Sequence, residues 1–547
     1  MQVRFGSPSI YKVSRRCQVI LCQLSTSSLQ KPAPLAPPPS SFPKLDTDFN
    51  SHRIAYRYRG LGELLRGWFV YRLFSINILV NNQDKLAEFG KRILGRKLFG
   101  TIFQLTAFGH FVGGESTKDI QPIIKNLEKY RVKAILDYSI ESDEKKTPPT
   151  ESSATSSSDS IQYHTDHNEE LSFDQNSSKF IECINISHNV CGINNLIAIK
   201  ITALVQPTTL KKFSFLLDKL KYHPSSRNES LFQYINDTKQ RSKDEINSKT
   251  SSVIEPLDKI LIDNNNKTMS ETSVLSTSEL NELKNLIIRL NEIAQAGVKQ
   301  KISIMVDAEQ TYFQTAINFL ATEMQRYFNK ISPIVHGTYQ CYLKDTLKVI
   351  TTDLELAKKE DYIFAAKLVR GAYMEQERRK AREEAYEDPT NPTFDATTSM
   401  YYECLNKVLE SSSERTAGRV KVMIASHNED TIRYALGKMK DMNIPPNGQL
   451  MSFASLYGMS DYTSFALGRQ PLHLFCLFIQ QITIISLFFK ANSGYHCYKY
   501  LPYGPLDSLL PYLFRRAQEN RGVFIKARKD RIMHLKAFQD RLFGSKQ

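Results

Sequence analysis

The chain of 547 residues lacks the motifs of several large enzyme classes. It has no GxGxxG stretch joining an early strand to a helix, which an open doubly wound nucleotide-binding sheet would favour. No Ser-His-Asp set and no paired acids suited to hydrolysis stand out. These absences argue against a dinucleotide-binding domain and against the common hydrolases.

Cysteine is scarce and irregularly spaced. The eight cysteines form no CxxC pair and lie at positions 17, 22, 183, 191, 341, 404, 476 and 497. This spacing fits neither a zinc site nor a disulfide framework. We therefore predict no metal site and a reducing compartment.

Acidic residues are missing from the first 45 positions, because the first acid is Asp46. The same stretch carries six Lys or Arg residues and several serines, which is the composition of a mitochondrial transit peptide. The apolar run Val19–Cys22 is too short for a secretory signal, and Pro32–Pro43 is typical of a linker. We predict a transit peptide and a Pro-rich linker over residues 1–45, with a disordered tail as the alternative.

The net charge of +15 and the isoelectric point near 9.2 raise the question of a nucleic-acid partner. The basic residues are spread along the chain, without a sustained Lys/Arg block or an aromatic stacking motif. We therefore predict no nucleic-acid partner.

Residues 46–130 have a helical pattern, seen in Gly62–Trp68 and again in Leu86–Phe99. The segment is rich in apolar residues and poor in acids, so we predict a helical arm. Helices that cover a core are the favoured interpretation, and contact with a membrane surface is the alternative.

From residue 131 to 535, short apolar runs alternate with amphipathic helical stretches. Eight runs are strand candidates: Ala134–Tyr138, Ala198–Ala203, Ile302–Asp307, Ile334–Cys341, Phe364–Val369, Val422–Ser426, Leu450–Leu456 and Tyr495–Tyr500. Eight strand–helix units predict an α/β fold of the (β/α)8 TIM-barrel type, with an open doubly wound sheet as the alternative. The last residues, 536–547, are predicted to be a tail.

Three insertions interrupt this pattern. Residues 141–178 are rich in Ser, Thr and acids, and residues 223–272 are rich in Asn, Lys and Ser, so both predict disordered surface loops. Residues 468–490 are instead largely Leu, Phe and Ile.

Polar residues follow most of the predicted strands, at the end where barrel enzymes carry their chemistry. Two arginines, Arg515 and Arg516, and Lys200 suit a carboxylate, and nearby tyrosines suit a small ring. The turn Arg370-Gly371 predicts an anion site beside a helix N-terminus. The alternatives are that Asp307 and His427-Asn428 are helix caps and that Arg515-Arg516 is a solvated helix face.

Six sequence blocks resemble the mitochondrial proline dehydrogenase family. They are Met305–Phe313, Thr338–Lys344, Lys367–Arg378, Ala425–Asp430, Tyr498–Pro505 and Arg515–Arg521, and the resemblance covers roughly residues 50–140 and 180–535. It implies a (β/α)8 barrel that holds FAD non-covalently and oxidises L-proline to Δ1-pyrroline-5-carboxylate by hydride transfer. It also implies that ubiquinone takes the electrons at the matrix side of the mitochondrial inner membrane.

The resemblance assigns roles to individual positions. Residues implied to bind the proline carboxylate or line the substrate pocket are Lys200, Asp307, Tyr373, Leu456, Tyr500, Arg515 and Arg516. Residues implied to contact the flavin are Gln340, Lys367, Val369, Gly371, Ala372, His427, Asn428 and Glu519. Related hydroxyproline dehydrogenases look like they carry a small polar residue where Tyr500 stands, and a phenol there would crowd a ring hydroxyl. We therefore predict proline as the substrate, with hydroxyproline as the alternative.

The apolar insertion 468–490 departs from the family, which joins its two flanks almost directly. Leu472–Phe489 has 18 residues, which borders on the length of a membrane span, yet both flanks must return to adjacent strands. Three interpretations remain: a hydrophobic element that touches the membrane, a retained intron or gene-model error, and a real insertion that disables the enzyme.

Overall fold

A computed structural model describes residues 47–76, 78–79, 82–139, 158–221, 223–226, 229–240, 275–468, 494–522 and 524–544. The predicted transit peptide and linker at 1–45 lie outside these residues, as does the apolar insertion beyond Gly468.

Eight parallel strands close into a barrel in the order β1 to β8. The strands are β1 Val132–Tyr138, β2 Asn195–Ile199, β3 Ile302–Val306, β4 Val335–Gln340, β5 Phe364–Val369, β6 Val420–Ala425, β7 Met451–Leu456 and β8 Cys497–Tyr503. The barrel is closed by β1 and β8, which pair from Val132 with Cys497 to Tyr138 with Tyr503. The (β/α)8 prediction is therefore confirmed, and the open doubly wound sheet is excluded.

Helices precede the barrel, alternate with its strands and follow its last strand. They are α1 His52–Ala55, α2 Leu61–Phe74, α3 Gln83–Phe103, α4 Gly109–Phe111, α5 Thr117–Lys129, α6 Ser158–Cys191, α7 Pro207–Lys219, α8 Leu231–Gln240, α9 Thr277–Gln300, α10 Thr311–Phe328, α11 Thr346–Lys359, α12 Met374–Glu383, α13 Phe394–Glu414, α14 Glu429–Asp441, α15 Asp461–Leu467, α16 Leu506–Gly522 and α17 Phe524–Phe543. Within the described residues, none of these helices has the length and apolar character needed to cross a membrane.

The alternation of side chains along each strand separates two cores. One set of apolar residues, which includes Ile135, Ala198, Met305 and Tyr498, fills the barrel interior. The other set faces outward and packs against the helices. Polar side chains placed on the inward face are therefore held among apolar neighbours, and they need partners inside the barrel.

The predicted strand Ala198–Ala203 is partly wrong, because β2 ends at Ile199 and Ile201–Ala203 forms a 3-10 turn. The Glu309 carboxylate accepts hydrogen bonds from the Thr202 backbone N–H at 3.2 Å and from the Thr202 hydroxyl at 2.6 Å. These bonds fix the turn just after Lys200, which is the last extended residue.

The prediction of a disordered loop over 141–178 is wrong for its second part, since residues 158–178 belong to α6. Phe173 is buried, and the acids of this segment are paired: Arg289 Nε lies 2.7 Å from Asp174 and its guanidinium also bonds Glu170. Residues 141–157 lie outside the described residues. The acids therefore have a partner on α9 that composition alone does not reveal.

The prediction of a disordered loop over 223–272 is wrong at its start. Pro224–Ser226 forms a 3-10 turn, and α8 buries Leu231 and Phe232. The Leu231 N–H donates to the Glu323 carboxylate at 2.6 Å, which ties the start of α8 to α10. Residues 241–272 lie outside the described residues.

The boundary predicted at residue 535 is also wrong, because α17 continues to Phe543. Ala537 is buried, and Asp540 pairs with His52 at 2.8 Å. Earlier in the same helix, Asp530 is buried and accepts a hydrogen bond from the Tyr56 hydroxyl at 3.0 Å. The C-terminal residues thus form part of the packed structure around the N-terminal helices.

A closed ionic cluster joins the N-terminal helices to the barrel. The Asp461 carboxylate accepts from the Tyr58 hydroxyl at 2.7 Å and from Arg59 Nε at 3.1 Å, and lies 2.9 Å from Lys499 Nζ. Both side chains of the Lys499–Asp461 pair are at most 1% exposed. Burial alone would raise the pKa of Asp461, but Lys499 and Arg59 lower it well below its ordinary value.

Candidate active site

Three charged or polar side chains meet at the C-terminal rim of the barrel, one directly after β3, one on β5 and one on β8. The Asp307 carboxylate accepts from Lys367 Nζ at 2.5 Å through Oδ1 and from the Tyr500 hydroxyl through Oδ2. The Lys367 ammonium also lies 5.2 Å from the centroid of the Tyr500 ring. We call Asp307, Lys367 and Tyr500 the rim cluster.

The helix-cap alternative for Asp307 is wrong. The next helix, α10, begins at Thr311 and its N-cap residue is Gln310, while both Asp307 oxygens are bonded to the rim cluster. The side chain therefore connects strands across the barrel mouth instead of closing a helix end.

Burial is the main cause that raises the pKa of Tyr500 well above its ordinary value, and the charges of Asp137 and Asp307 raise it further. The phenol therefore keeps its proton near neutral pH and acts as a donor. Burial also lowers the pKa of His336 to about 3, assisted by the charges of Lys421 and Lys367. This histidine is thus neutral, and the positive charge nearest the rim carboxylate belongs to Lys367.

The three predicted carboxylate-binding cations are held at the same end of the barrel. Lys200 follows β2 and is 6% exposed, and Arg516 on α16 is 5% exposed. The Arg516 guanidinium lies 4.9 Å from the centroid of the Tyr512 ring. Such burial argues against a solvated helix face for Arg516.

Arg515 and Tyr373 come together although 142 positions separate them in the chain. The Arg515 guanidinium lies 5.6 Å from the centroid of the Tyr373 ring, which is mostly buried at the start of α12. Leu456, at the end of β7, packs against the apolar side chains of the barrel interior. The predicted substrate set is therefore supplied by strands β7 and β8, by residues that follow β2, β3 and β5, and by helix α16.

Several residues predicted to contact a flavin lie on β4 and β5. Gln340 Nε2 donates to the Glu309 carbonyl at 2.7 Å, and Val369 ends β5. Gly371 has φ of +130°, and a Cβ atom at this position would lie 1.7 Å from Cδ1 of Tyr342. Only glycine satisfies both the backbone angle and the close packing, and Ala372 follows it at the surface.

The remaining predicted residues lie after β6 and on α16. Asn428 is the N-cap of α14, and its Oδ1 accepts from the Asp430 N–H at 2.9 Å, so the cap alternative is correct for this side chain. His427 is half-buried beside it. Glu519 lies in α16, and its side chain is outside the described part of the structure.

The structure also shows residues that sequence reasoning placed wrongly or overlooked. Arg370 donates to Thr398 at 3.1 Å and to the Phe394 carbonyl at 3.0 Å, so its guanidinium anchors α13. Asp137 is 1% exposed on β1 and bonds to the Ser139 hydroxyl. A carboxylate inside an apolar strand was the available signal for Asp137.

In the described ranges, no group of three or more His, Cys, Asp or Glu side chains is arranged to hold a metal ion.

A model of one enzyme family, described as proline dehydrogenase, matches residues 121–528, which include the barrel and the rim cluster. The chain belongs to the proline dehydrogenase family of oxidoreductases. The predicted family is therefore confirmed.

Curated members of this family are similar over most of their length. Proline dehydrogenase 1, mitochondrial, of Drosophila melanogaster is 34% identical, with 92% of this chain and 83% of the relative covered. The human protein of the same name is also 34% identical, with 88% of each chain covered. A hydroxyproline dehydrogenase of Xenopus laevis is 29% identical, with 90% of each chain covered.

A solved structure supports the fold alone. The proline utilization A protein (PutA) of Bdellovibrio bacteriovorus, inactivated by N-propargylglycine, matches with a TM-score of 0.50 and 17% identity. The match covers 93% of this chain but only 41% of that one, so this chain spans less than half of that protein.

Proposed function

We propose that this proline dehydrogenase uses non-covalent FAD to oxidise L-proline to Δ1-pyrroline-5-carboxylate, and that ubiquinone is the final acceptor. In this reaction a ring carbon loses hydride, the adjacent nitrogen loses a proton, and a C=N bond forms. Bound FAD would supply the hydride acceptor. The rim cluster is the observation that carries the proposal, because it places a buried carboxylate beside a cation and a phenol in a family of proline oxidoreductases.

The donor set at the rim fits a flavin. Lys367 carries three donors, of which one goes to Asp307, and Gln340 adds an amide on the neighbouring strand. We assign flavin binding to these two residues and to Val369, Gly371, Ala372, His427, Asn428 and Glu519. Gly371 supports this assignment because the absence of a side chain lets the backbone after β5 pass close to the Tyr342 ring.

Proline would bind by its two charged groups. Lys200, Arg515 and Arg516 are the cations that suit its carboxylate, and bidentate arginine contacts would fix its orientation. Asp307 is the one acid of the rim cluster, and its charge favours the positive character that develops on the ring nitrogen as hydride leaves. Tyr373, Leu456 and Tyr500 would enclose the ring.

The cellular setting is proposed on two grounds. The first 45 residues have the composition of a mitochondrial transit peptide, and the curated proline dehydrogenases of fly and human are named as mitochondrial. We infer a location on the matrix side of the mitochondrial inner membrane, where a membrane quinone is within reach.

The decisive test is reduction of the flavin by substrate. The purified full chain should show flavin absorbance that bleaches with L-proline in the absence of oxygen. A folded chain that binds no flavin would contradict the proposal and favour an inactive homologue, as one interpretation of the 468–490 insertion predicts. Deleting Gly468–Lys490 in a parallel variant shows whether that segment is responsible.

Hydroxyproline is the second candidate substrate, because hydroxyproline dehydrogenases are 28–29% identical to this chain. Tyr500 argues against it, since its hydroxyl is bonded to Asp307 and its ring occupies the rim. We expect faster bleaching by L-proline than by trans-4-hydroxyproline. Tyr500→Ser should lower the ratio of the bleaching rate with L-proline to that with trans-4-hydroxyproline about tenfold, because it opens the pocket and removes the hydrogen bond to Asp307. Faster turnover of hydroxyproline by the unmodified chain would reverse the assignment.

A further inference from the structure

The N-terminal helices expose an unusual amount of apolar surface. Half of the large apolar side chains that are exposed in the described part of the chain lie between residues 61 and 105. On α3 and the π-helical turn that follows it, they are Leu86, Phe89, Ile93, Leu94, Leu98, Ile102 and Leu105. We call these seven side chains the apolar face. Large exposed apolar patches of this kind mark interaction surfaces.

The spacing of these residues follows the helix, with a break in the middle. Leu86, Phe89 and Ile93 recur at three- and four-residue intervals before Gly95, and Leu98, Ile102 and Leu105 do so after it. Gly95 has φ of +73° and interrupts the helix. Phe89 and Ile93 are 60% and 63% exposed, so they are presented to solvent without cover from the described chain.

The same helix carries exposed positive charge. Lys85, Arg92, Arg96 and Lys97 are exposed, and the acids of α3 are Asp84 and Glu88. A helix that presents large apolar side chains together with Lys and Arg is the arrangement that binds the surface of a bilayer containing anionic lipids. A protein partner of average surface composition would not require both features.

The buried side of the arm leads toward the proposed substrate pocket. Lys91 Nζ lies 2.8 Å from Asp507 Oδ1 in the first turn of α16, the helix that carries Arg515 and Arg516. An apolar cluster also continues inward, with Phe103 packed against residues that include Tyr512, and with Leu456 packed on the same cluster. Helix α16 therefore connects the helix that carries the apolar face to the residues proposed to bind substrate.

We propose that the apolar face and its basic residues dock this enzyme on an anionic bilayer, and thereby hold the barrel rim next to the membrane that contains its quinone. The inference rests on the proposed function in one respect, because only a lipid-soluble acceptor requires the rim to face the bilayer. It commits both segments of α3 to lying in the headgroup region, with Phe89 and Ile93 before Gly95 and Leu98 and Ile102 after it inserted among the acyl chains.

The test compares binding of the full chain to vesicles of phosphatidylcholine alone and of phosphatidylcholine mixed with phosphatidylglycerol. The chain should sediment with the anionic vesicles. The double variant Phe89→Ser/Ile93→Ser should bind them about tenfold more weakly, and Arg92→Gln/Arg96→Gln should lose most of the preference for anionic lipid. Ile331→Ser is the matched control, because Ile331 is 94% exposed between α10 and β4, far along the chain from α3.

Activity separates this inference from the proposed function. With a water-soluble dye as acceptor, the double variant should oxidise proline as fast as the unmodified chain, whereas reduction of a long-chain quinone embedded in vesicles should fall in proportion to binding. Loss of dye activity in the unmodified chain would refute the proposed function and leave the vesicle result to be judged separately.

Three outcomes would overturn the docking proposal. One is equal vesicle binding by the double variant and the Ile331→Ser control. Another is an unmodified chain that is dimeric by light scattering and becomes monomeric in the double variant, which would make a second copy the occupant of the apolar face. The third is vesicle binding that appears only after removal of residues 1–42, which would make that segment its cover.

Discussion

Two buried ionic clusters lie on opposite faces of β8, and adjacent residues of that strand supply them. Tyr500 points into the barrel and joins the rim cluster, whereas Lys499 points outward to Asp461, which also binds Arg59. Each cluster contains an aspartate, a lysine and a tyrosine, since Tyr58 bonds Asp461 as Tyr500 bonds Asp307. Similar chemical groups are thus used in two different ways.

The difference lies in how completely the charges are satisfied. Lys499 Nζ has Asp461 at 2.9 Å, the Ser455 hydroxyl at 2.7 Å and the Met459 carbonyl at 2.6 Å, which saturates its donors. Lys367 Nζ instead donates to the Asp307 carboxylate and lies over the face of the Tyr500 ring. A saturated cluster fixes the fold, and a cluster with donor capacity at a barrel rim suits the binding of ligands.

The cluster around Asp461, which includes Lys499 and Arg59, should respond to substitution mainly through a loss of stability. Asp461→Asn leaves Lys499 and Arg59 buried without a counter-charge, so we expect a loss of about 3–5 kcal/mol in the free energy of unfolding. Urea denaturation measures it. Glu414→Gln, which breaks the exposed pair with Lys358, is the control and should cost at most about 1 kcal/mol. Equal effects of the two substitutions would mean that burial does not distinguish these pairs.

The rim cluster should respond mainly in activity. Asp307→Asn removes the charge that the proposed reaction uses but keeps the shape of the side chain. We expect kcat/KM for proline to fall about a hundredfold, equivalent to ~2.7 kcal/mol of transition-state stabilisation. The free energy of unfolding should change less than in Asp461→Asn. A variant that unfolds more readily but turns over proline normally would reverse the roles assigned to the two clusters.

A third carboxylate sharpens the comparison because it is buried without a cation of its own in the contacts described. Burial, assisted by the charge of Asp461, raises the pKa of Asp530 to about 7, so the folded state keeps a proton that the unfolded chain releases near pH 4. Stability therefore falls as pH rises between about 4 and 7 and is then constant with respect to this group. The free energy of unfolding of Asp530→Asn, measured relative to that of the unmodified chain, should therefore be higher at pH 8 than at pH 5 by ~2 kcal/mol.

Thermal unfolding at the two pH values measures this shift. Asp461 should add nothing to the difference between pH 5 and pH 8, since its pKa is lowered in the folded state and its stabilising contribution is lost only as pH falls below about 4. A difference between Asp530→Asn and the unmodified chain that does not vary with pH would show that Asp530 is ionised in the folded state.

The barrel could be predicted from the sequence because its strands are short buried runs separated by amphipathic helices. Phe364–Val369 was predicted with the observed bounds for this reason. The rim residues followed from the rule that strand ends converge. Their mutual bonds could not be predicted, because the pairing of Lys367 with Asp307 depends on the inward direction of both side chains across the barrel.

The errors share a physical cause, which is pairing between distant residues. The acids Glu170 and Asp174 looked like part of a polar loop until Arg289 was placed beside them. The guanidinium of Arg370 looked available for an anion, yet it packs 4.0 Å from the centroid of the Phe394 ring. Composition describes what a segment contains, and only the fold determines which charges meet.

The position of β8 between the two clusters fixes the register of this strand. A shift of one residue would exchange Lys499 and Tyr500 between the two faces, breaking Asp461 and Asp307 contacts at once. The register of β8 is therefore fixed by side-chain contacts on both of its faces, in addition to its pairing with β1 and β7. These contacts fix the register whatever the length of the link that begins after Gly468.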